Sequence, residues 1–209
     1  MGMGIFKSTG CKNNGALGDV KQRFIESIEY LRKLGFFEEY SNLTSEEIFE
    51  KMREKDPLLL SNLEEERWMK KSVFEIDRFI ATSDFKRIWG RDAELGYLPS
   101  SEDEMRFLSE LAEISRGVFQ PSNMRCKKDM WGERICFTFR GKEHEVMFTY
   151  REDFLNIERL LSQLNKVMEG TGYKYYLIGS GDQFAFVVVL TPEEAEKLRR
   201  ERGWRLYEY

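Results

Sequence analysis

The stretch Tyr173–Leu190 limits the architecture more than any other part of the chain. Two apolar runs, Tyr173–Gly179 and Phe184–Leu190, flank a Gly181-Asp182 turn signal. A hairpin turning there places Tyr175, Leu177, Phe186 and Val188 on one face and Tyr176, Ile178, Val187 and Val189 on the other. Neither face is polar, and a sheet strand apolar on both sides has to be covered on both sides. The hairpin is therefore expected at the centre of the molecule, with helices or the N-terminal region over each face. With 41% hydrophobic residues and 16 Phe in 209 residues, the chain has the apolar material for such covers.

Helices are expected to dominate residues 19–120. Phe24, Ile25, Ile28 and Leu31 share one face of a helix that stops near Gly35. Thr44-Ser-Glu-Glu47 is a capping box opening a short helix that ends before Asp56-Pro57. Ser61-Asn-Leu-Glu64 reads as a second box, opening a long helix through Trp68, Met69, Val73, Ile76, Phe79 and Ile80. Ser83 is expected to cap a helical turn through Trp89. Ser101-Glu-Asp-Glu104 reads as a third box, with Gly117 closing its helix. Residues 1–18, rich in Gly, Asn and Ser, read as a flexible leader.

The period then switches from helix to strand. Ile135, Phe137 and Phe139 alternate with polar neighbours, as do Val146, Phe148 and Tyr150. A two-residue turn at Gly141-Lys142 pairs Phe137 with Val146, Ile135 with Phe148 and Arg140 with Glu143. Asp153 is expected to cap a helix carrying Ile157, Leu160, Leu161 and Leu164, and Thr191-Pro-Glu-Glu194 opens the last helix. The expected fold class is α+β: an N-terminal helical region, 19–120, followed by a ββαββα antiparallel sheet with helices packed on it, 121–209.

Charge and residue counts narrow the function. Lys and Arg number 33 against 37 Asp and Glu; residues 1–120 carry a net −5 and residues 121–209 a net +1. That balance argues against a general nucleic-acid binder. Three cysteines, Cys11, Cys126 and Cys136, fit a reducing compartment better than a disulfide framework. No apolar run approaches the length of a membrane span, and the opening residues lack the pattern of a secretory signal, so a cytoplasmic location is expected. The single histidine, His144, faces the opposite side of its hairpin from Cys136, which leaves no Cys-His pair for nucleophilic catalysis. Cys126, Cys136 and His144 lack the paired spacing of a zinc site. No metal and no cofactor are expected.

Two stretches carry a likeness to known proteins: Leu111-Ala-Glu-Ile-Ser-Arg-Gly-Val-Phe-Gln-Pro121 and Leu190-Thr-Pro-Glu-Glu-Ala-Glu-Lys-Leu-Arg-Arg-Glu-Arg-Gly-Trp204. With the ββαββα segment between them they resemble small bacterial cytoplasmic proteins, some of them immunity partners of polymorphic toxins. The resemblance covers about the last hundred residues and implies a non-catalytic binding protein whose partner is a protein, a toxin in the immunity case. Exposed residues on the first hairpin, Trp131, Arg134, Glu143 and Glu145, and the acidic run Glu102, Asp103 and Glu104 are the candidate contacts. Two other readings stand beside it. One is an enzyme using carboxylates in a cleft between the helical region and the sheet. The other is a structural or phage-derived protein that assembles with itself.

Overall fold

A computed structural model describes residues 14–55, 67–92, 98, 100–129, 132–151, 154–179 and 184–209. The fold is mixed α+β. Helices α1 (Asn14–Arg32), α2 (Ser45–Lys55) and α3 (Val73–Ala81) lead into strand β1 (Ile88–Asp92) and helix α4 (Ser101–Glu113). Strands β2 (Ser122–Asp129), β3 (Gly132–Phe139) and β4 (Lys142–Val146) follow, then a short β5–β6 pair (Tyr150–Arg151 and Phe154–Leu155) and helix α5 (Ile157–Val167). The chain closes with β7 (Lys174–Ile178), β8 (Phe184–Leu190), α6 (Pro192–Arg202) and β9 (Leu206–Tyr207).

The two long hairpins lie in different sheets. β7 and β8 form the middle of a four-stranded sheet ordered β1-β8-β7-β9, while β2, β3 and β4 make a separate three-stranded sheet. All the pairings are antiparallel. β1 comes from the helical region, so segments 19–120 and 121–209 share the central sheet.

Each face of β7–β8 is covered, as its two apolar faces require. One core packs α1, α2, α3 and α6 against Ile88, Tyr176, Ile178, Val188 and Leu190. The other packs α4, α5 and the inner face of the three-stranded sheet against Trp89, Tyr175, Val187 and Val189. The cross-strand partners differ from the expected set, because Tyr176 pairs with Val188 and Tyr175 with Val189. The strand register is one residue from the one expected, and a one-residue slip exchanges the faces of one strand. The Gly181-Asp182 turn lies outside the described residues.

The first hairpin shows a milder correction. Ile135 pairs with Val146 and Phe137 with His144, two residues from the expected register, so each side chain keeps its face. The turn is Arg140-Gly141, with φ 50° and 73°, the left-handed pair a type I′ hairpin turn needs. Arg140 therefore lies in the turn with its guanidinium over Phe139, and Glu143 pairs with Arg125 instead.

Helix boundaries follow the capping chemistry. Thr44 and Glu47 make the expected reciprocal box. The long helix expected from Ser61 is interrupted, because Ser72 and Glu75 form their own box and restart the chain at Val73. Upstream, the Arg23 guanidinium takes the carbonyls of Trp68, Met69 and Lys71 at 2.9, 3.1 and 2.6 Å. The Ser61–Glu64 box itself lies outside the described residues. Ser100, rather than Ser101, caps α4, and Asn156, rather than Asp153, caps α5. Ser83–Trp89 gives a turn and then β1 in place of a helix, and Asn14–Gly18 of the expected leader are helical.

A buried charged clamp ties the last helix to the first core. Asp77 is fully buried and accepts from Arg202 at 2.6 and 2.8 Å and from the Trp204 indole at 3.2 Å. Arg202 also donates to Ser27 at 2.9 Å and stacks over Tyr30. Removing one partner strands a buried charge, so Arg202→Ala should lower the unfolding free energy by about 3–5 kcal/mol in urea titrations. Asp77→Leu combined with Arg202→Met should recover a large part of that loss.

Candidate functional site

Between α2 and the end of α3 lies an open, largely apolar groove of about 230 Å³. Phe37, Tyr40, Ile48, Met52, Phe79 and Phe85 supply its apolar lining, and Thr82, Ser83, Lys51 and Lys55 its polar groups. The helical repeat explains the α2 side: Ile48, Met52 and Lys55 recur at i, i+4 and i+7, and Lys51 lies one turn past Ile48 on the same flank. Phe85 stands on the opposite lip and is 77% exposed, more than any other large hydrophobic side chain among the described residues.

The floor is held in an unusual backbone conformation. Phe37 adopts φ 60°, a region costly for a bulky residue, on the order of 1–2 kcal/mol. Its amide donates to Asp84 Oδ2 at 2.5 Å, and Asp84 Oδ1 accepts from the Lys86 amide at 3.2 Å. One turn on, the Arg87 guanidinium donates to the Leu34 carbonyl at 3.0 Å and to the Gly35 carbonyl, where the chain leaves α1. It also lies 4.4 Å from the Phe36 ring centroid. A side chain on Gly35 would meet that guanidinium, and Gly35 has φ 74°, so the position suits glycine. The turn before β1 thus reaches across and fixes the 34–37 turn, so that Phe36 enters the core and Phe37 floors the groove.

Both clamp residues titrate away from their ordinary values. Burial raises the Asp84 carboxyl, against the opposing pull of the two amides it binds. Burial and then the nearby Arg116 charge bring Arg87 down to about 10. Arg116, itself at φ 60°, pairs with Glu194 at 2.8 Å and so links the α4 end to the start of α6.

The residues singled out from the sequence fall in three places. Arg134, Glu143 and Glu145 share the outer face of the three-stranded sheet, where Arg134 meets Glu145 at 2.8 Å and Glu143 meets Arg125. Cys136 lies on the same face, paired across the strands with Arg125 and Glu145, yet is only 2% exposed. The acidic run does not act as one surface. Glu102 is exposed, Asp103 binds Ser100 and Arg106, and Glu104 is buried and accepts from the Tyr150 hydroxyl at 3.0 Å. Glu104 is thereby withdrawn from the candidate contacts, because a carboxylate turned inward to a tyrosine meets no partner. Trp131 lies outside the described residues. His144 stacks on Phe137, 5.9 Å between centroids, on the side of the hairpin away from Cys136.

Sequence reasoning missed the groove. Ile48, Met52 and Phe79 read as ordinary helix core, and Phe85 as part of a helical turn. The one signal present was Ser72-Val-Phe-Glu75, a capping box that breaks the long helix and sets where α3 begins. Comparison with protein-family models, with curated proteins and with solved structures returned no match to this chain. No helix among the described residues is long and apolar enough to cross a membrane, and none of their His, Cys, Asp and Glu side chains gather in a group of three or more that could hold a metal ion.

The Asp84 clamp gives a pH test. Its folded pKa lies above the unfolded value of about 3.9, so the folded state binds the proton more tightly. The stability this confers is present at low pH and is lost as pH rises through the folded pKa. Asp84→Asn lacks that proton site, so its stability relative to the parent should be higher at neutral pH than at pH about 4. Paired urea titrations at the two pH values measure the difference; an unchanged difference would contradict the buried-carboxyl account.

Proposed function

We propose that the protein is a non-catalytic binding protein of the bacterial cytoplasm that recognises another protein, and that it serves as an immunity protein neutralising a cognate toxin. The observation that carries the binding reading is the groove, an apolar recess whose lip holds a 77% exposed phenylalanine over a floor braced by buried polar bonds. Interface energy concentrates in a few aromatic and apolar anchors seated in such recesses, and an exposed phenylalanine beside an apolar recess is a candidate anchor of that kind. The immunity reading adds the resemblance of the C-terminal half. The ion-paired outer face of the three-stranded sheet, with Arg134, Glu143 and Glu145, offers rim contacts that favour orientation over affinity.

Co-expression with the product of the adjacent gene tests this reading. The parent should restore growth of cells poisoned by that product and form a complex that survives size-exclusion chromatography. Phe85→Asp should weaken the complex by about 2 kcal/mol or more, near thirtyfold, with an unchanged unfolding midpoint. A harmless neighbour, or undiminished toxicity, would remove the immunity reading. Full protection by Phe85→Asp would remove the groove from it.

A further inference from the structure

We propose that the groove receives an acidic amphipathic segment of the partner, with one or two apolar side chains seated between Phe85 and Met52 and carboxylates reaching Lys51 and Lys55. This rests on the binding reading above and names the chemistry of the partner at that site.

Charge is the first argument. Among the described residues, Lys51 and Lys55 are the only charged ones lining the groove, and no carboxylate lines it. Both are exposed. Elsewhere on α2, Glu50 binds Lys21 at 2.7 Å and Arg53 at 3.2 Å. Lys86, near Phe85, is matched by Glu39 at 3.5 Å. Lys51 and Lys55 have no carboxylate within salt-bridge distance among the described residues, so this apolar recess carries two cations that no described carboxylate matches, in a region whose net charge is −5. An acidic segment is repelled by the rest of that region, but exposed charges beyond about 8 Å are largely screened at physiological salt, so the local pair decides.

Size and spacing are the second. At about 230 Å³ the groove falls below the roughly 300–1,000 Å³ of small-molecule pockets, and suits one or two side chains rather than a whole ligand. Lys51 and Lys55 are one helical turn apart, roughly 6 Å, a spacing that carboxylates at i and i+4 of a docked helix reproduce. An apolar anchor with carboxylates one turn apart is the pattern of a helix laid in a groove.

Panning a randomised phage-displayed peptide library against the full chain tests the inference without any toxin. Enriched peptides should carry a large apolar residue with carboxylates within about one helical turn of it. Their affinity should fall about tenfold or more for Lys51→Glu with Lys55→Glu, fall likewise for Phe85→Ala, and weaken with added salt. Lys51→Gln with Lys55→Gln, which leaves the exposed helix surface uncharged there, should give a smaller loss in the same direction. No enrichment, enrichment of basic or uncharged peptides, or binding indifferent to both lysine pairs overturns the proposal. Failure here leaves growth protection by the parent intact, whereas failure of protection leaves the peptide result intact, so the two readings fall separately.

Discussion

Burial of both faces of β7 and β8 is the constraint from which the rest of the molecule follows. Val187, Val188, Val189 and Leu190 are all fully buried in one strand, with successive residues feeding opposite cores. Such a strand has no edge to expose and no solvent side. β1 pairs with β8 and β9 with β7 within the sheet, three N-terminal helices and α6 cover one face, and α4, α5 and the second sheet cover the other. Each large apolar side chain taken from water there contributes roughly 1.5–3 kcal/mol.

The groove is a secondary product of that arrangement. α1 and α3 must lie on the sheet to bury Phe24, Ile28, Ile76 and Ile80, and α2 packs across α1 through Ile48 and Phe49. What remains between α2 and the end of α3 is lined by Phe37 and, among the described residues, stays open. The bonds that brace this turn come from Asp84, which accepts from the Phe37 amide, and from Arg87, which donates to the Leu34 and Gly35 carbonyls, two ionisable side chains placed under the surface where apolar ones would ordinarily serve. Strain and buried charge at one turn are features that a fold retains where shape matters, which is why the groove, rather than the charged outer face of the second sheet, anchors the functional reading.

Much of this was legible in the residues. The apolar duplication of Tyr173–Leu190 gave the central position of the hairpin and its two covers, and Thr44-Glu47 and Thr191-Glu194 marked helix starts that the fold uses. Registers were less legible, since they depend on turns: Arg140 in a left-handed position moved one hairpin by two residues, and the β7–β8 register differs from the expected one by one. β2 was invisible because Arg125, Cys126, Lys127 and Lys128 are exposed and carry no apolar alternation. β1 was invisible because Ile88 and Trp89 serve different cores across only two residues. Of the proposed contacts, Arg134, Glu143 and Glu145 do share a face, while Glu104 turns inward to a tyrosine from a distant strand, a pairing no local pattern records. The groove joins residues from 37 to 85 across three separate elements, and only the folded chain brings them together.

The central claim is that one sheet binds two cores into a single cooperative unit. Trp204 reports from the first core and Trp89 from the second. Two variants, each keeping one of these tryptophans and replacing the others with phenylalanine, should be unfolded in urea and followed by fluorescence alongside the far-ultraviolet dichroism of each. After correction for each variant's own dichroism midpoint, both tryptophans should report a transition coincident with loss of secondary structure. A Trp89 transition separated from that of the backbone, with Trp204 still in its native environment, would show that the two cores fold independently and that the shared sheet does not hold the molecule together.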